Sequence, residues 1–181
     1  VTAADFAAER ERILSAMDQP SIDGVNTYFV AREAARAGLK VALSGLGGDE
    51  VFAGYDTFRQ VPRLRACARP LGAIPGLGRG FRLLAAPLLK GRASPKWAGL
   101  LELGKDMEGA YLLRRGLFMP WELPEVMDPD MARDGWATLR GQTRSELPKS
   151  GRAAVSALEM TGYMRNQLLR DSDWASMDHS V

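Results

Sequence analysis

Residues 40–55, KVALSGLGGDEVFAGY, carry the strongest pattern in this sequence. A short continuous apolar run follows Lys40 and ends at Leu43, which predicts a strand buried on both faces. Glycine occupies three of the next five positions, where the missing Cβ lets backbone N–H groups approach a ligand. A helix, a strand and a glycine loop in this order predict one unit of a doubly wound α/β sheet, with the ligand at the carboxyl end of the strand.

Two carboxylates, Asp49 and Glu50, follow the glycine loop directly. A carboxylate repels phosphate, so its position beside such a loop is explained if Mg²⁺ lies between it and the phosphate groups. The segment after the loop also predicts a helix, and the N-terminus of a helix attracts anions. The residues alone leave an alternative open, in which the glycines form a tight turn and the two acids cap a helix.

Residues 44–55, SGLGGDEVFAGY, resemble a sequence block of the synthetase domain of glutamine-dependent asparagine synthetases, Ser-Gly-x-Gly-x-Asp-Glu-x-Phe-x-Gly-Tyr. Every fixed position of that block is matched. Residues 173–177, DWASM, resemble the later Asp-x-x-Ser-Met block of the same family, and the two blocks lie in the family's order. Together with the helices between the two blocks, the resemblance covers most of the chain.

Two features of the family do not occur in these residues. The Ser-Gly-Gly-x-Asp-Ser loop, which also grips pyrophosphate, has no match, and position 1 is Val1 where a glutaminase domain would begin with cysteine. We therefore expect residues 1–181 to be a partial synthetase domain, a fragment of a larger enzyme. The resemblance implies an α/β parent fold like that of the adenine nucleotide α-hydrolases. The chain itself is expected to be mainly α-helical, with one main short strand that begins at Lys40 and ends at Leu43.

The resemblance implies ATP-dependent amide formation in the cytoplasm, with ATP and Mg²⁺ required. In the family, the side-chain carboxylate of aspartate attacks the α-phosphorus of ATP, pyrophosphate leaves, and ammonia from the glutaminase domain of the same chain displaces AMP. Catalysis is assigned to Asp49, which also holds Mg²⁺ through the pyrophosphate, and to Glu50, which orients the loop. Nucleotide binding is assigned to Ser44, Gly45, Leu46, Gly47 and Gly48. The substrate cleft is assigned to Tyr55, Asp173, Ser176 and Met177.

Leu46 departs from the family, because asparagine synthetases often carry an acidic residue at this position. The related β-lactam synthetases carry another group that handles protons there, whereas leucine neither moves a proton nor binds ammonium. Three interpretations remain open. The chain belongs to a divergent asparagine synthetase, to an amidotransferase of the same fold that acts on another carboxylate of a peptide or sugar intermediate, or to a fragment that is structural or only binds a nucleotide.

Composition narrows the class of partner. The chain has 24 basic and 22 acidic residues, and a formal net charge of +2 indicates neither nucleic acid nor an anionic membrane as partner. A single cysteine, Cys67, excludes an intramolecular disulfide. No apolar run approaches the roughly 20 residues that span a bilayer. A homodimer is compatible with the sequence.

Apolar spacing predicts helices elsewhere in the chain, over residues 2–17, 25–37, 56–68, 81–89, 108–118, 129–140 and 152–170. Prolines and glycines are frequent in residues 70–80, which predicts a mobile loop there.

We expect the isolated chain to release no AMP steadily from ATP, Mg²⁺, aspartate and ammonia. A cleft with one phosphate-gripping loop cannot hold the α-phosphorus in line with its attacking group. Purified residues 1–181 that turn over steadily in a coupled AMP assay would contradict this expectation.

Overall fold

The structure is a computed structural model that describes the backbone of residues 1–21, 23–89, 94–142 and 147–181 and the side chains of these residues except 140–142. The chain forms two compact units. The first unit combines residues Val1–Glu50 with Glu159–Val181, and the second unit is Val51–Leu158. Most described residues are helical, and no strand occurs within the described ranges.

The α-helices of these ranges are α1 (Ala3–Ala16), α2 (Asp23–Arg36), α3 (Gly48–Phe52), α4 (Thr57–Gly72), α5 (Leu77–Leu89), α6 (Leu100–Leu103), α7 (Met107–Arg115), α8 (Pro129–Gln142), α9 (Gly151–Leu158) and α10 (Leu169–Met177). Two short 3₁₀-helices cover Pro95–Gly99 and Leu123–Glu125. A π-helix covers Glu159–Leu168 and connects α9 to α10.

The first helix begins with a capping box. The Thr2 hydroxyl accepts a hydrogen bond from the Asp5 backbone N–H at 3.2 Å, and the Asp5 carboxylate accepts one from the Thr2 backbone N–H at 2.6 Å. Each side chain therefore satisfies a backbone donor that has no partner inside the helix. These hydrogen bonds lower the pKa of Asp5 from its ordinary value.

An aromatic cluster forms the core of the first unit. Tyr28 of α2 is fully buried, lies edge-on to Phe29 with ring centroids 5.5 Å apart, and stacks on Trp174 of α10 at 6.2 Å. Ile13 of α1 completes the contact between the three helices. Burial, together with the hydrogen bond that the Tyr28 hydroxyl donates to Glu9, raises the pKa of Tyr28 to about 12.

A buried carboxylate fastens α10 to the start of α2. Asp171 is 1% exposed and accepts hydrogen bonds from the Ser21 hydroxyl at 2.6 Å and the Trp174 indole N–H at 3.2 Å. Gly24 lies against the same pair, since a Cβ added to it would approach the Trp174 ring at 2.5 Å. Only a residue without a side chain lets the two helices come this close.

The second unit packs three helices around a smaller core. Val61 of α4, Ala110 of α7 and Val155 of α9 form the buried cluster. At another edge of this unit, Gly78 of α5 approaches Glu102 of α6, and the Arg82 guanidinium pairs with the Glu102 carboxylate at 2.6 Å. These contacts hold α5 and α6 together.

The predicted strand is wrong for this chain. Residues 40–43 form no strand, and the side chains of Val41 and Leu43 are 75% and 100% exposed instead of buried. A strand is stabilised by hydrogen bonds to a neighbouring strand, and the described part of the chain offers no such neighbour.

The predicted loop and the predicted long helix also differ from the structure. Pro70 lies inside α4, and α5 begins at Leu77, so the link between α4 and α5 is much shorter than residues 70–80. Gly76 adopts a left-handed conformation with φ +78°, which turns the chain within this short link. The single helix predicted over residues 152–170 is divided by the π-helix of Glu159–Leu168.

In the part of the chain that the structure describes, no helix has both the length and the apolar character needed to cross a membrane.

Stability should fall as the pH drops from above 6.5 towards the lower pKa of His179 in the folded chain. The His179 side chain is 6% exposed, and its ring lies 4.4 Å from the Tyr28 ring. Burial lowers its pKa below the ordinary 6.5, so the unfolded chain binds more protons in this window. This contribution to stability is therefore present above pH 6.5 and is lost as the pH falls through the folded-state pKa, because unfolding then exposes a ring that takes up a proton.

The measurement is the urea midpoint against pH, with His179→Gln as the variant that cannot titrate. The urea midpoint of the parent chain should fall with pH, and that of the variant should lack this fall. Glu9, whose pKa is lowered by its hydrogen bond from Tyr28, titrates below this window and does not interfere. Equal slopes in both proteins would refute the assignment.

Gly24→Ala should destabilise the chain by about 1–3 kcal/mol, because the added methyl group meets the Trp174 ring and the Asp171 carboxylate. Gly135→Ala is the matched control, since Gly135 lies in α8 with open space around its Cβ position. The control should stabilise the chain by about 0.5–1 kcal/mol, the usual gain from replacing a helical glycine. Urea unfolding followed by circular dichroism measures both changes, and a neutral Gly24→Ala would show that α2 and α10 can separate at no cost.

Candidate functional site

The glycine loop forms a tight turn held by its own backbone. The Ser44 hydroxyl accepts a hydrogen bond from the Leu46 N–H at 3.3 Å, and the Gly48 N–H donates to the Gly45 carbonyl at 3.1 Å. Gly47 has φ +90°, a left-handed conformation that other residues adopt only with strain. The glycine at position 47 is therefore required by the turn itself.

The loop is open on the side of Gly45 and Gly48. A Cβ added to either residue would meet no atom of the described residues within 4 Å, whereas one added to Gly47 would meet the Met164 sulfur at 3.7 Å. Packing against the described residues therefore does not explain glycine at positions 45 and 48. Open space next to the backbone is what a ligand that approaches the loop would need.

The two carboxylates after the loop lie in different environments. Asp49 is exposed, and it forms no hydrogen bond or ion pair with another described residue. Glu50 is 1% exposed and belongs to the interior. Because α3 begins at Gly48, Asp49 is its second residue and does not occupy the N-cap position. A helix of five residues has a small dipole, so the attraction of its N-terminus for anions adds little here.

Three predicted cleft residues share one face of α10. Asp173, Ser176 and Met177 are spaced by three and four residues, which places them together on a helix. Asp173 is exposed and Met177 is 70% exposed. The opposite face carries Trp174 and Asp171, which pack against α2. Because one face of α10 packs against α2, the face that carries Asp173 and Met177 is exposed.

Tyr55, the remaining predicted cleft residue, lies in the second unit. The Arg115 guanidinium lies over its ring, 4.6 Å from the centroid, which is a cation–π contact. The structure thus gathers the loop residues in one turn and the α10 residues on one face. The Met164 sulfur of the π-helix lies near Gly47, 3.7 Å from the position that a Cβ of this residue would take.

Sequence reasoning missed Met164 as a neighbour of the loop and Asp171 as a buried anchor. Met164 lies inside the single helix predicted over residues 152–170, whose apolar spacing does not indicate a π-helix. A signal for Asp171 existed, because it lies three residues before Trp174 and therefore on the same helix face.

The described residues contain no group of three or more His, Cys, Asp or Glu side chains that could enclose a metal ion. Magnesium differs from other protein metals in this respect, since one or two carboxylates often hold it together with substrate phosphates and water. An exposed carboxylate such as Asp49, which has no partner in the part of the chain that the structure describes, fits that mode of binding.

The family model described as asparagine synthase matches residues 1–181, and the chain belongs to this family.

The chain is similar to a Mycobacterium tuberculosis (strain ATCC 25618 / H37Rv) protein named "Putative asparagine synthetase (glutamine-hydrolyzing)", with 36% identity over 189 residues that cover 100% of this chain and 27% of that protein. It is also similar to asparagine synthetase (glutamine-hydrolyzing) 1 of Bacillus subtilis (strain 168), with 32% identity over 187 residues, 98% of this chain and 28% of that protein. The chain therefore spans about a quarter of the length of these relatives. No solved structure matches the chain at a significant level.

Proposed function

We propose that this chain contributes part of the ATP site of a cytoplasmic synthetase that converts the side-chain carboxylate of aspartate to an amide. The observation that carries the proposal is the open turn around Gly45 and Gly48, followed by the exposed Asp49, which is unpaired among the described residues. The names of the relatives from Mycobacterium and Bacillus support the same activity.

The reaction proceeds in two displacements. The aspartate carboxylate forms a bond to the α-phosphorus of ATP, and the bond from that phosphorus to pyrophosphate breaks. Ammonia, supplied by a glutaminase domain of the same protein, then attacks the activated carbonyl carbon and AMP leaves. Such chemistry depends on in-line positioning and charge neutralisation more than on a protein base.

The loop residues bind and orient the nucleotide in this proposal. The space beside the Cα atoms of Gly45 and Gly48 is open, so phosphate oxygens could approach the backbone of the loop there. Asp49 would hold Mg²⁺, and the ion when bound would neutralise charge on the leaving pyrophosphate. Glu50, which is buried, would hold the start of α3 in place and would not touch the substrate.

The exposed face of α10 forms part of the substrate cleft in this proposal. Asp173 offers a carboxylate that could bind the ammonium group of an amino-acid substrate, and Ser176 offers a hydroxyl. Tyr55 is proposed as a support that positions its own segment through the contact with Arg115.

Leu46 favours a second candidate, an amidotransferase of the same family that acts on another carboxylate. Its side chain is 39% exposed in the turn and presents an apolar surface where many family members carry an acid. An apolar residue would suit a substrate without an ammonium group near this position. The choice is tested by comparing aspartate with N-acylated aspartate and with larger carboxylates as substrates of the full-length protein.

Asp49→Asn in the full-length protein should reduce pyrophosphate release at least a hundredfold. The amide keeps the size of the side chain and removes the charge that holds Mg²⁺, a loss on the order of several kcal/mol in the transition state. The measurement is pyrophosphate release against Mg²⁺ concentration. Hydrolysis of glutamine and the melting temperature should remain near those of the parent protein.

Asp56→Asn is the matched control. Asp56 is also exposed, but its carboxylate is paired with Arg59 at 2.9 Å and lies outside the glycine loop. The control should retain near-normal pyrophosphate release, since exposed ion pairs contribute little. Near-normal release by Asp49→Asn as well would contradict the metal-binding role and would favour a purely structural loop.

A further inference from the structure

A cavity of about 220 Å³ lies in the second unit and is not part of the proposed ATP site. It opens between α4, α7 and the 3₁₀-helix of Pro95–Gly99. The lining residues are Gln60, Arg63, Leu64, Cys67, Trp97 and Arg114.

Two arginines line this cavity without any acid to neutralise them. Among the described residues, neither Arg63 nor Arg114 takes part in an ion pair. Arg63 is exposed and Arg114 is half-buried. Guanidinium groups in a partly desolvated site attract anions strongly, and their planar donors match the oxygens of carboxylate or phosphate.

Two polar atoms of the lining are buried without a partner. The Nε of Arg114 and the Oε1 of Gln60 have no hydrogen-bond partner among the described residues, although both atoms are shielded from solvent. Buried polar groups without partners are costly and rare in folded proteins. An oxyanion in the cavity would accept hydrogen bonds from the Arg114 guanidinium, whereas the Gln60 Oε1 is itself an acceptor and would need a donor.

The rest of the lining is apolar. Leu64 and Trp97 present hydrocarbon and aromatic surface beside the charged groups. A pocket that combines apolar walls with a few convergent polar groups is the usual form of a small-molecule site. An inorganic ion would use only the charged part of such a lining.

We propose that this cavity binds a small organic oxyanion, with its carboxylate or phosphate group on Arg63 and Arg114 and its apolar body against Leu64 and Trp97. The shared chemistry is one oxyanion head on a short apolar body. Carboxylate and phosphate forms of such a ligand are distinguished by the experiment below.

Cys67 gives a direct measure of occupancy, because it is the sole cysteine in the sequence, is exposed and lines the cavity. The rate of its alkylation by iodoacetamide is measured in the full chain at constant ionic strength. Benzoate, phenyl phosphate, inorganic phosphate and chloride are added in turn. Benzoate or phenyl phosphate should slow alkylation in a saturable manner, and the better of the two identifies the head group.

Arg114→Gln should weaken this protection at least tenfold, since it removes a charge-assisted hydrogen-bonding group. Arg63→Gln, at an exposed position, is the second variant in case Arg114→Gln fails to fold. Arg59→Gln is the matched control on α4, because Arg59 is paired with Asp56 and does not line the cavity. The control should be protected like the parent chain.

Three results would overturn the proposal. In the first, neither organic anion protects Cys67 in a saturable manner. In the second, the Arg114, Arg63 and Arg59 variants are protected equally, and in the third, inorganic phosphate protects as strongly as phenyl phosphate. None of these readouts depends on amide synthesis, so the test is independent of the proposed ATP-dependent function.

Discussion

The packing of Tyr28 against Trp174 holds together two segments of the first unit that are far apart in the sequence. Tyr28 belongs to α2, Trp174 belongs to α10, and their rings stack at 6.2 Å within a closed aromatic cluster. Asp171 strengthens the same contact through its hydrogen bonds with Ser21 and Trp174. Aromatic burial contributes most of the energy of such a contact, and the buried hydrogen bonds make its geometry specific.

The candidate cleft face depends on this contact indirectly. Because Trp174 and Asp171 are turned towards α2, the residues on the opposite side of the helix face outward. Asp173 and Met177 are therefore exposed as a consequence of core packing. A substitution that loosened α10 from α2 would change the presented face without touching any residue on it.

Much of the helical part of this fold could be predicted from the sequence, because helix patterns are local. The spacing of apolar residues predicts α1 and α2 within a few residues of their observed ends. The short motif around Gly47 was also sufficient to predict a turn, since the need for a left-handed residue is a property of the backbone itself.

Other features could not be predicted from local sequence. The apolar residues Val41 and Leu43 have the composition of a strand, but a strand exists only where another strand supplies hydrogen-bond partners. The cavity beside Arg114 depends on three elements that meet only in the folded chain. The π-helix could not be predicted because an apolar stripe is compatible both with the i→i+4 hydrogen bonds of an α-helix and with the i→i+5 hydrogen bonds of a π-helix.

The number of residues in the π-helix is constrained, because it sets the rotation of α10 about its own axis. Each residue of an α-helix turns the chain by about 100°, and each residue of a π-helix turns it by somewhat less, so an insertion or deletion within Glu159–Leu168 would rotate everything after it by a large angle. Relative to the buried Glu159, such a change would swing Trp174 away from α2 and bring the polar face of α10 towards the core. Related proteins should therefore tolerate substitutions in this segment more readily than insertions or deletions.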